Sequence, residues 1–146
     1  MRSSLAVTLF TVLLTVGCGQ PTPQGVTFTS KVDDGPKDLI TTFIRAAREG
    51  QAADIAALAQ PADRTDQKSR ADELVSKHRS SFQGDITVSV TEGDNAGTLT
   101  ACLGLKKTKE WATAHINGTG SLDGTGWRNK WTLDWFQIRS TPCSRG

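Results

Sequence analysis

Two histidines, His78 and His115, are the side chains of this 146-residue chain best suited to proton transfer near neutral pH. His78 falls on the apolar side of a predicted helix, and His115 shares a predicted strand face with Trp111. Either histidine could act as an acid or base beside Asp85 or Asp134. A histidine at the border of a core more often satisfies a backbone partner, so we assign no catalytic residue and favour a non-enzymatic protein.

No pattern typical of a metal or cofactor site is present in the sequence. The stretch Asp33-Asp34-Gly35 lacks the alternating oxygen ligands and the distant glutamate of a calcium loop. The two histidines are too far apart for zinc-ligand spacing. The glycines between positions 118 and 126 are not followed by the Lys-Ser/Thr that opens a helix after a phosphate-binding loop, which favours a hairpin. We therefore expect neither a metal nor a cofactor.

The tryptophans are the most suggestive feature of the second half of the chain, which contains no tyrosine. They stand at Trp111, Trp127, Trp131 and Trp135. A regular strand would place Trp131 and Trp135 on one face, where they could line a ligand pocket or a partner surface. The alternative is that they fill the interface between helices and a curved sheet. The candidate pocket or surface comprises Trp111, Trp131, Trp135, His115 and His78.

The start of the chain predicts export. Arg2 precedes an apolar run at positions 5–16, which would span about 18 Å as a helix, too short for a hydrocarbon core of about 30 Å. Gly17 is small and Cys18 follows it. This pattern resembles the signal peptide of a bacterial lipoprotein, which implies cleavage before Cys18, lipidation of that cysteine and anchoring at the extracytoplasmic face of the cell membrane. Ordinary secretory cleavage, with Cys18 left as a free thiol, is the alternative.

The remaining cysteines then form an even pair in an oxidising compartment. With Cys18 lipidated, Cys102 and Cys143 are expected to form a disulfide, the alternative being two separate thiols. Removal of residues 1–17 leaves 129 residues with 16 basic and 15 acidic side chains. This near-neutral balance gives no reason to expect nucleic acid or a polybasic membrane patch.

Composition and periodicity divide the chain into a signal peptide (1–17), a lipidated cysteine with a flexible tether (18–35) and one domain (36–146). Residues 26–29 could form a short strand or an arm packed on the domain. Helical periodicity and breakers predict helices at 37–50, 52–59 and 66–81. Alternating patterns predict strands at 86–91, 99–105, 111–119 and 127–139, with a glycine-rich connection at 118–126.

Two stretches of the predicted domain resemble a known superfamily. The sequence FIRAAREGQAADIAAL at 43–58 resembles the opening helices of the nuclear transport factor 2-like (SnoaL-like, cystatin-like) superfamily, and WRNKWTLDW at 127–135 is similar to its last strand. The resemblance implies a cone in which a sheet wraps around helices and leaves a cavity at its open end. It transfers no catalytic residue to this chain.

These observations predict an α+β domain, with N-terminal helices packed on a curved, cone-like, four-stranded antiparallel sheet. The favoured function is a membrane-anchored, extracytoplasmic, non-enzymatic domain that binds an envelope protein or a small apolar ligand. One alternative is a small cone-fold enzyme of isomerase or hydrolase type. The other is a structural module that dimerises through its sheet.

Overall fold

The computed structural model describes residues 21–123 and 126–143, without the side chains of residues 120–129. The predicted signal peptide and Cys18 lie outside the described residues. None of the helices in the described part of the chain has the length and apolar character that a membrane span requires.

The fold is α+β, as predicted, and the strands form one five-stranded sheet in the order of the sequence. The strands are β1 (Val26–Phe28), β2 (Ile86–Glu92), β3 (Thr98–Leu105), β4 (Glu110–Asp123) and β5 (Gly126–Arg139). The helices are α1 (Asp34–Glu49), α2 (Ala52–Ala57) and α3 (Arg64–His78), with short 3-10 helices at Pro61–Asp63 and Arg79–Gln83.

The sheet is mixed because β1 adds a parallel strand next to β2, with Val26 opposite Ile86. The prediction of a four-stranded antiparallel sheet was therefore wrong in strand number and direction, although β2 to β5 do form an antiparallel meander. Of residues 26–29, for which the sequence left a short strand or an arm open, Val26–Phe28 form the strand β1. A three-residue strand is too short for its alternation to decide between the two. Because β1 lies within the predicted tether, the ordered chain begins before residue 36.

The hairpin of β4 and β5 is longer than predicted. The stretch 118–126, expected to be a connection, belongs mostly to the two strands, and their pairing continues as far as Asp123 and Gly126. Glycine disfavours strands on its own. Here the pairing with β5 and the packing of an aromatic ring over Gly118 offset that preference.

Helix α1 presents its apolar face to the sheet and ends where the sequence predicts. Leu39, Ile40, Phe43 and Ile44 are buried. Gly50 adopts a left-handed conformation with φ of 77°, which a residue without a side chain adopts at little cost. The predicted end of the first helix at Gly50 is confirmed.

The core lies between the three helices and the face of the sheet that we call the inner face. Its strand members are Ile86, Val88, Ala101, Leu103, Leu105, Ala112, Ala114, Ile116, Leu133 and Phe136, all buried. They pack against α1, α2 and α3 as a single cluster. The space that an open cone would leave between helices and sheet is filled here by side chains.

Strand β5 lies at the edge of the sheet, and part of that edge is covered by helices. The Leu133 N–H donates to the Leu58 carbonyl at 2.9 Å, just after α2. The buried Gln67 side chain of α3 donates to the Asp134 carbonyl. These bonds satisfy backbone groups that an edge strand would otherwise leave open to another chain.

Candidate functional site

A β-bulge in β5 decides which face each of its tryptophans occupies. His115 is paired with Trp135, but the next residue of β4, Ile116, is paired with Leu133. Asp134 therefore has no opposite residue on β4. The extra residue shifts the alternation by one. Trp131 therefore lies on the inner face and Trp135 on the outer face, and the prediction that they share a face was wrong.

Trp131 is a packing residue at the margin of the core. Its indole ring lies between the start of α1 and β4, where two glycines make room for it. A Cβ atom at Gly35 would lie 2.6 Å from the Trp131 ring, and one at Gly118 would lie 3.0 Å from it. This is the arrangement that the packing alternative predicted, and it removes Trp131 from the candidate site.

The outer face is the side of the sheet away from the helices. Among the described side chains, its members are Thr87, Ser89 and Thr91 on β2; Thr98, Thr100, Cys102 and Gly104 on β3; Trp111, Thr113, His115, Asn117 and Thr119 on β4; and Lys130, Thr132, Trp135, Gln137 and Arg139 on β5. Hydroxyl and aromatic side chains dominate this set. These are the properties of a polar surface with aromatic contact points rather than of a membrane-inserting surface.

The centre of the outer face is a stacked pair of aromatic rings. The imidazole of His115 lies 3.9 Å from the Trp135 ring, with 21° between their planes. The Thr100 hydroxyl lies 3.3 Å from Nδ1 of His115 on the other side. The ring is therefore fixed by contacts from both neighbouring strands, and all three side chains remain partly exposed.

Burial lowers the pKa of His115 below its usual 6.5 and outweighs the opposite influence of the Asp134 and Asp94 carboxylates. His115 is therefore neutral at pH 7. A neutral imidazole can stack on an indole ring without desolvating a charge. The pair thus offers a nearly flat aromatic contact surface.

Trp111 extends the aromatic surface toward the end of β4. It pairs with Gly104, and a Cβ atom at Gly104 would lie 3.1 Å from the Trp111 ring and 2.7 Å from the Thr87 hydroxyl. A larger residue here would crowd the Thr87 hydroxyl and the indole ring, so glycine leaves room for both. Trp111 and Trp135 are thus the two candidate tryptophans that remain on the outer face.

The predicted disulfide is confirmed and lies on the same face. Cys102 and Cys143 are bonded at 2.01 Å, and the Thr113 hydroxyl donates to the Cys143 sulfur at 3.4 Å. Because Cys102 is on β3 and Cys143 follows β5, the end of the chain must pass over β4. The bond therefore fixes a backbone segment beside the aromatic pair.

His78 belongs to a different part of the molecule from His115. Its Nδ1 lies 3.3 Å from Glu110, which also accepts hydrogen bonds from Ser81 at 2.6 Å and Thr108 at 2.8 Å. The Ser81 hydroxyl is the main reason why the pKa of Glu110 lies below its usual value. The carboxylate stands between serine and histidine, so this is not the order of a catalytic triad, in which histidine contacts serine.

A cleft of about 370 Å³ opens beside His78, between α3 and the end of β5. It is lined by Arg70, Glu73, Leu74, His78, Phe136, Gln137 and Ile138. One carboxylate, Glu73, and one guanidinium, Arg70, border the cleft, and neither Trp111 nor Trp135 lines it. The sequence-predicted residues therefore divide into an outer-face group and a separate His78 group.

Within the described residues, no group of three histidine, cysteine or acidic side chains could hold a metal ion. Comparisons with protein-family models, with curated proteins and with solved structures found no match to this chain. Sequence reasoning missed Thr100 and Gly104, whose roles depend on the pairing of β3 with β4. The alternation of β3 was the signal that could have placed them opposite His115 and Trp111.

Proposed function

We propose that this chain is an extracytoplasmic lipoprotein, anchored through lipid on Cys18, whose domain binds a partner protein through the outer face of the sheet. The observation that carries the proposal is the His115–Trp135 stack, with Trp111 on the same face. Tryptophan is enriched at the centres of protein interfaces, where a large aromatic surface is buried at a small cost in side-chain entropy.

The surroundings of the stack support a preorganised surface. Thr100 and the Cys102–Cys143 disulfide hold neighbouring groups in place, and the helices pack on the opposite face. A surface whose side chains are already fixed loses less conformational entropy on binding. Threonine hydroxyls around the aromatic rings supply a polar rim of the kind that surrounds interface cores.

The helix order and the antiparallel meander support the further proposal that the domain has a nuclear transport factor 2-like, cone-like arrangement. A small apolar ligand inside such a cone is less favoured, because buried residues fill the space between helices and inner face. A partner on the outer face needs no such cavity.

The enzyme alternative finds weaker support around His78. Ser81 is only 2% exposed, which restricts its use as a nucleophile. Glu110, the carboxylate that accepts its hydrogen bond, has a lowered pKa and is correspondingly a weak base. We therefore rank partner binding above hydrolysis.

Site-specific photocrosslinking in intact cells tests the proposed surface. A photoreactive residue at Thr91, an exposed position of the outer face beside Thr100, should yield a discrete crosslinked product, whereas the same residue at the exposed Asp66 of α3 should not. Trp135→Ala should reduce the Thr91 product at least tenfold, and the exposed-helix variant Arg70→Ala should not. Equal products from both positions would refute a specific outer-face partner.

Two further measurements separate the alternatives. A Thr91 product with twice the mass of the chain, together with a concentration-dependent dimer in sedimentation experiments, would replace a foreign partner with a second copy. Mass spectrometry of membrane fractions should find diacylated Cys18 in the wild type, and none in Cys18→Ser. Wild-type protein found free in solution would refute the anchor.

A further inference from the structure

The point where the tether joins the domain lies beside the turn between β3 and β4. The Gly25 carbonyl accepts the Ile86 N–H at 2.8 Å, and the Asp85 carbonyl accepts the Lys106 N–H at 3.1 Å. Arg48 bonds to the Gln24 carbonyl at 2.8 Å. We call residues 24–25, 84–85 and 106–109 together the tether pole. Adjacent strands are about 4.8 Å apart, so Lys106 lies about 10 Å from the start of β1.

The turn at the tether pole is strongly basic. Three of its four residues are lysines, Lys106, Lys107 and Lys109, and all three are exposed. Among the described residues, no carboxylate lies within ion-pair distance of their ammonium groups. Asp85 contributes one negative charge to the pole, and Glu110 is engaged by Ser81 and His78. The whole mature chain is nearly neutral, so this positive charge is local.

Covalent geometry limits how far the tether pole can move from a lipidated Cys18. Gln24 is the sixth residue after Cys18, and an extended chain spans at most about 22 Å over that length. Arg48 and the β1–β2 pairing fix the chain from Gln24 onward. A domain anchored at Cys18 must therefore keep this pole close to the lipid headgroups.

We propose that the Lys106–Lys109 turn lies on the anionic phospholipid surface of the membrane that holds the anchor; this inference rests on the proposed lipidation of Cys18. Contact between this turn and the membrane requires a short tether and a positive charge beside it, and the tether pole has both. Lysines act on such a surface only within about one Debye length, roughly 8–10 Å, which the tether allows. The attraction of one lysine to the surface changes the ratio of molecules whose turn contacts the membrane to those whose turn does not by about fivefold.

This orientation has a consequence for the candidate site. Strand β4 begins at the turn and runs away from it, so Trp111 lies near the membrane and His115 farther out. The outer face would stand at a steep angle to the bilayer. Partners approaching along the membrane surface would then meet it directly.

Amine footprinting of the lipidated full protein tests the inference. The protein is reconstituted in vesicles of phosphatidylcholine, with or without a large fraction of phosphatidylglycerol, and treated with a water-soluble amine-reactive reagent. Because the three lysines together favour contact by on the order of a hundredfold, phosphatidylglycerol should reduce the modification of Lys106, Lys107 and Lys109 by more than about tenfold, and high salt should restore it. Lys130, at the far end of β5, should react equally in both vesicles.

A double variant keeps one lysine as the reporter. In Lys106→Gln/Lys109→Gln, the remaining Lys107 should keep at most about fivefold protection, whereas Lys130→Gln should leave the wild-type protection of the turn unchanged. Equal modification of the turn in both vesicle types, with the protein still floating with the vesicles, would overturn this inference and leave the anchor intact. Protein that does not float with either vesicle would instead refute the lipidation of Cys18.

Discussion

Replacement of Arg48 should destabilise the domain more than any other single change at its surface that we consider. The Arg48 guanidinium donates three hydrogen bonds to backbone carbonyls, at 2.7 Å to Phe82, 2.8 Å to Gln24 and 2.9 Å to Gly84. These carbonyls belong to the segment before β1 and to the segment between α3 and β2. One side chain therefore connects α1, β1 and β2.

The expected loss can be derived from those bonds. A hydrogen bond from a charged donor contributes about 1.5–3 kcal/mol, but the bond to Gln24 is exposed and water can replace it. Arg48→Met keeps most of the apolar stem and removes the three donors, so we expect a loss of about 2–4 kcal/mol in the free energy of unfolding. For a domain of this size, that loss lowers Tm by about 6–15 °C.

Thermal and urea unfolding of the disulfide-bonded protein, followed by circular dichroism, provide the measurement. Arg48→Lys keeps the charge but lacks the planar fork, so it should recover less than half of the loss. Arg70→Met, at an exposed position of α3 beside the cleft, is the matched control and should change stability by less than about 0.5 kcal/mol. An Arg48→Met protein as stable as the Arg70→Met control would refute the reasoning.

Three other predictions concern the two histidine regions and the disulfide. His115 should titrate below pH 6.5 when followed by NMR. Trp135→Ala should raise the pKa of His115 toward 6.5, because the imidazole is then less buried. An unchanged titration in Trp135→Ala would contradict the stacking. The folded-state pKa of Glu110 lies below 4.5, so the stability that this carboxylate contributes is complete above that pH and is lost as pH falls. Glu110→Gln should therefore make the free energy of unfolding less dependent on pH in the acid range, as monitored by fluorescence. An acid-unfolding profile identical to that of the wild type would exclude a role for this carboxylate. Cys102→Ala/Cys143→Ala removes the disulfide that joins residues 41 positions apart, and should lower the free energy of unfolding by about 3–4 kcal/mol in chemical denaturation. A loss under about 1 kcal/mol would show that other contacts hold the end of the chain.

The sequence predicted those parts of the fold in which a long, regular pattern matched the local structure. Helix α1 follows its apolar spacing to Gly50, and β3 follows the alternation that ends at Leu105. The cysteine pairing followed from their number and the expected compartment. In each case the information lies within one element or in one residue type.

The candidate site was predicted less well, because it depends on how strands pair. The Asp134 bulge reverses the faces of Trp131 and Trp135, and such an insertion leaves no mark in the pattern of a strand that is apolar on both faces. Gly118 looked like a loop residue because its partner, the Trp131 ring, is brought in by β5. Likewise, the near-neutral net charge of the chain gave no sign of the local cluster of lysines at positions 106, 107 and 109.

The parallel pairing of β1 with β2 has a consequence for the order in which the chain folds. Val26 pairs with Ile86, 60 residues later, whereas the other strand pairs are formed by neighbours in the sequence. Loop closure over that distance is slow compared with the formation of hairpins. Because the ribosome releases the N-terminus first, β1 emerges early but cannot pair until the three helices and β2 have followed. The first strand to be synthesised is then among the last to join the sheet, and during that interval it is open to chaperones and proteases.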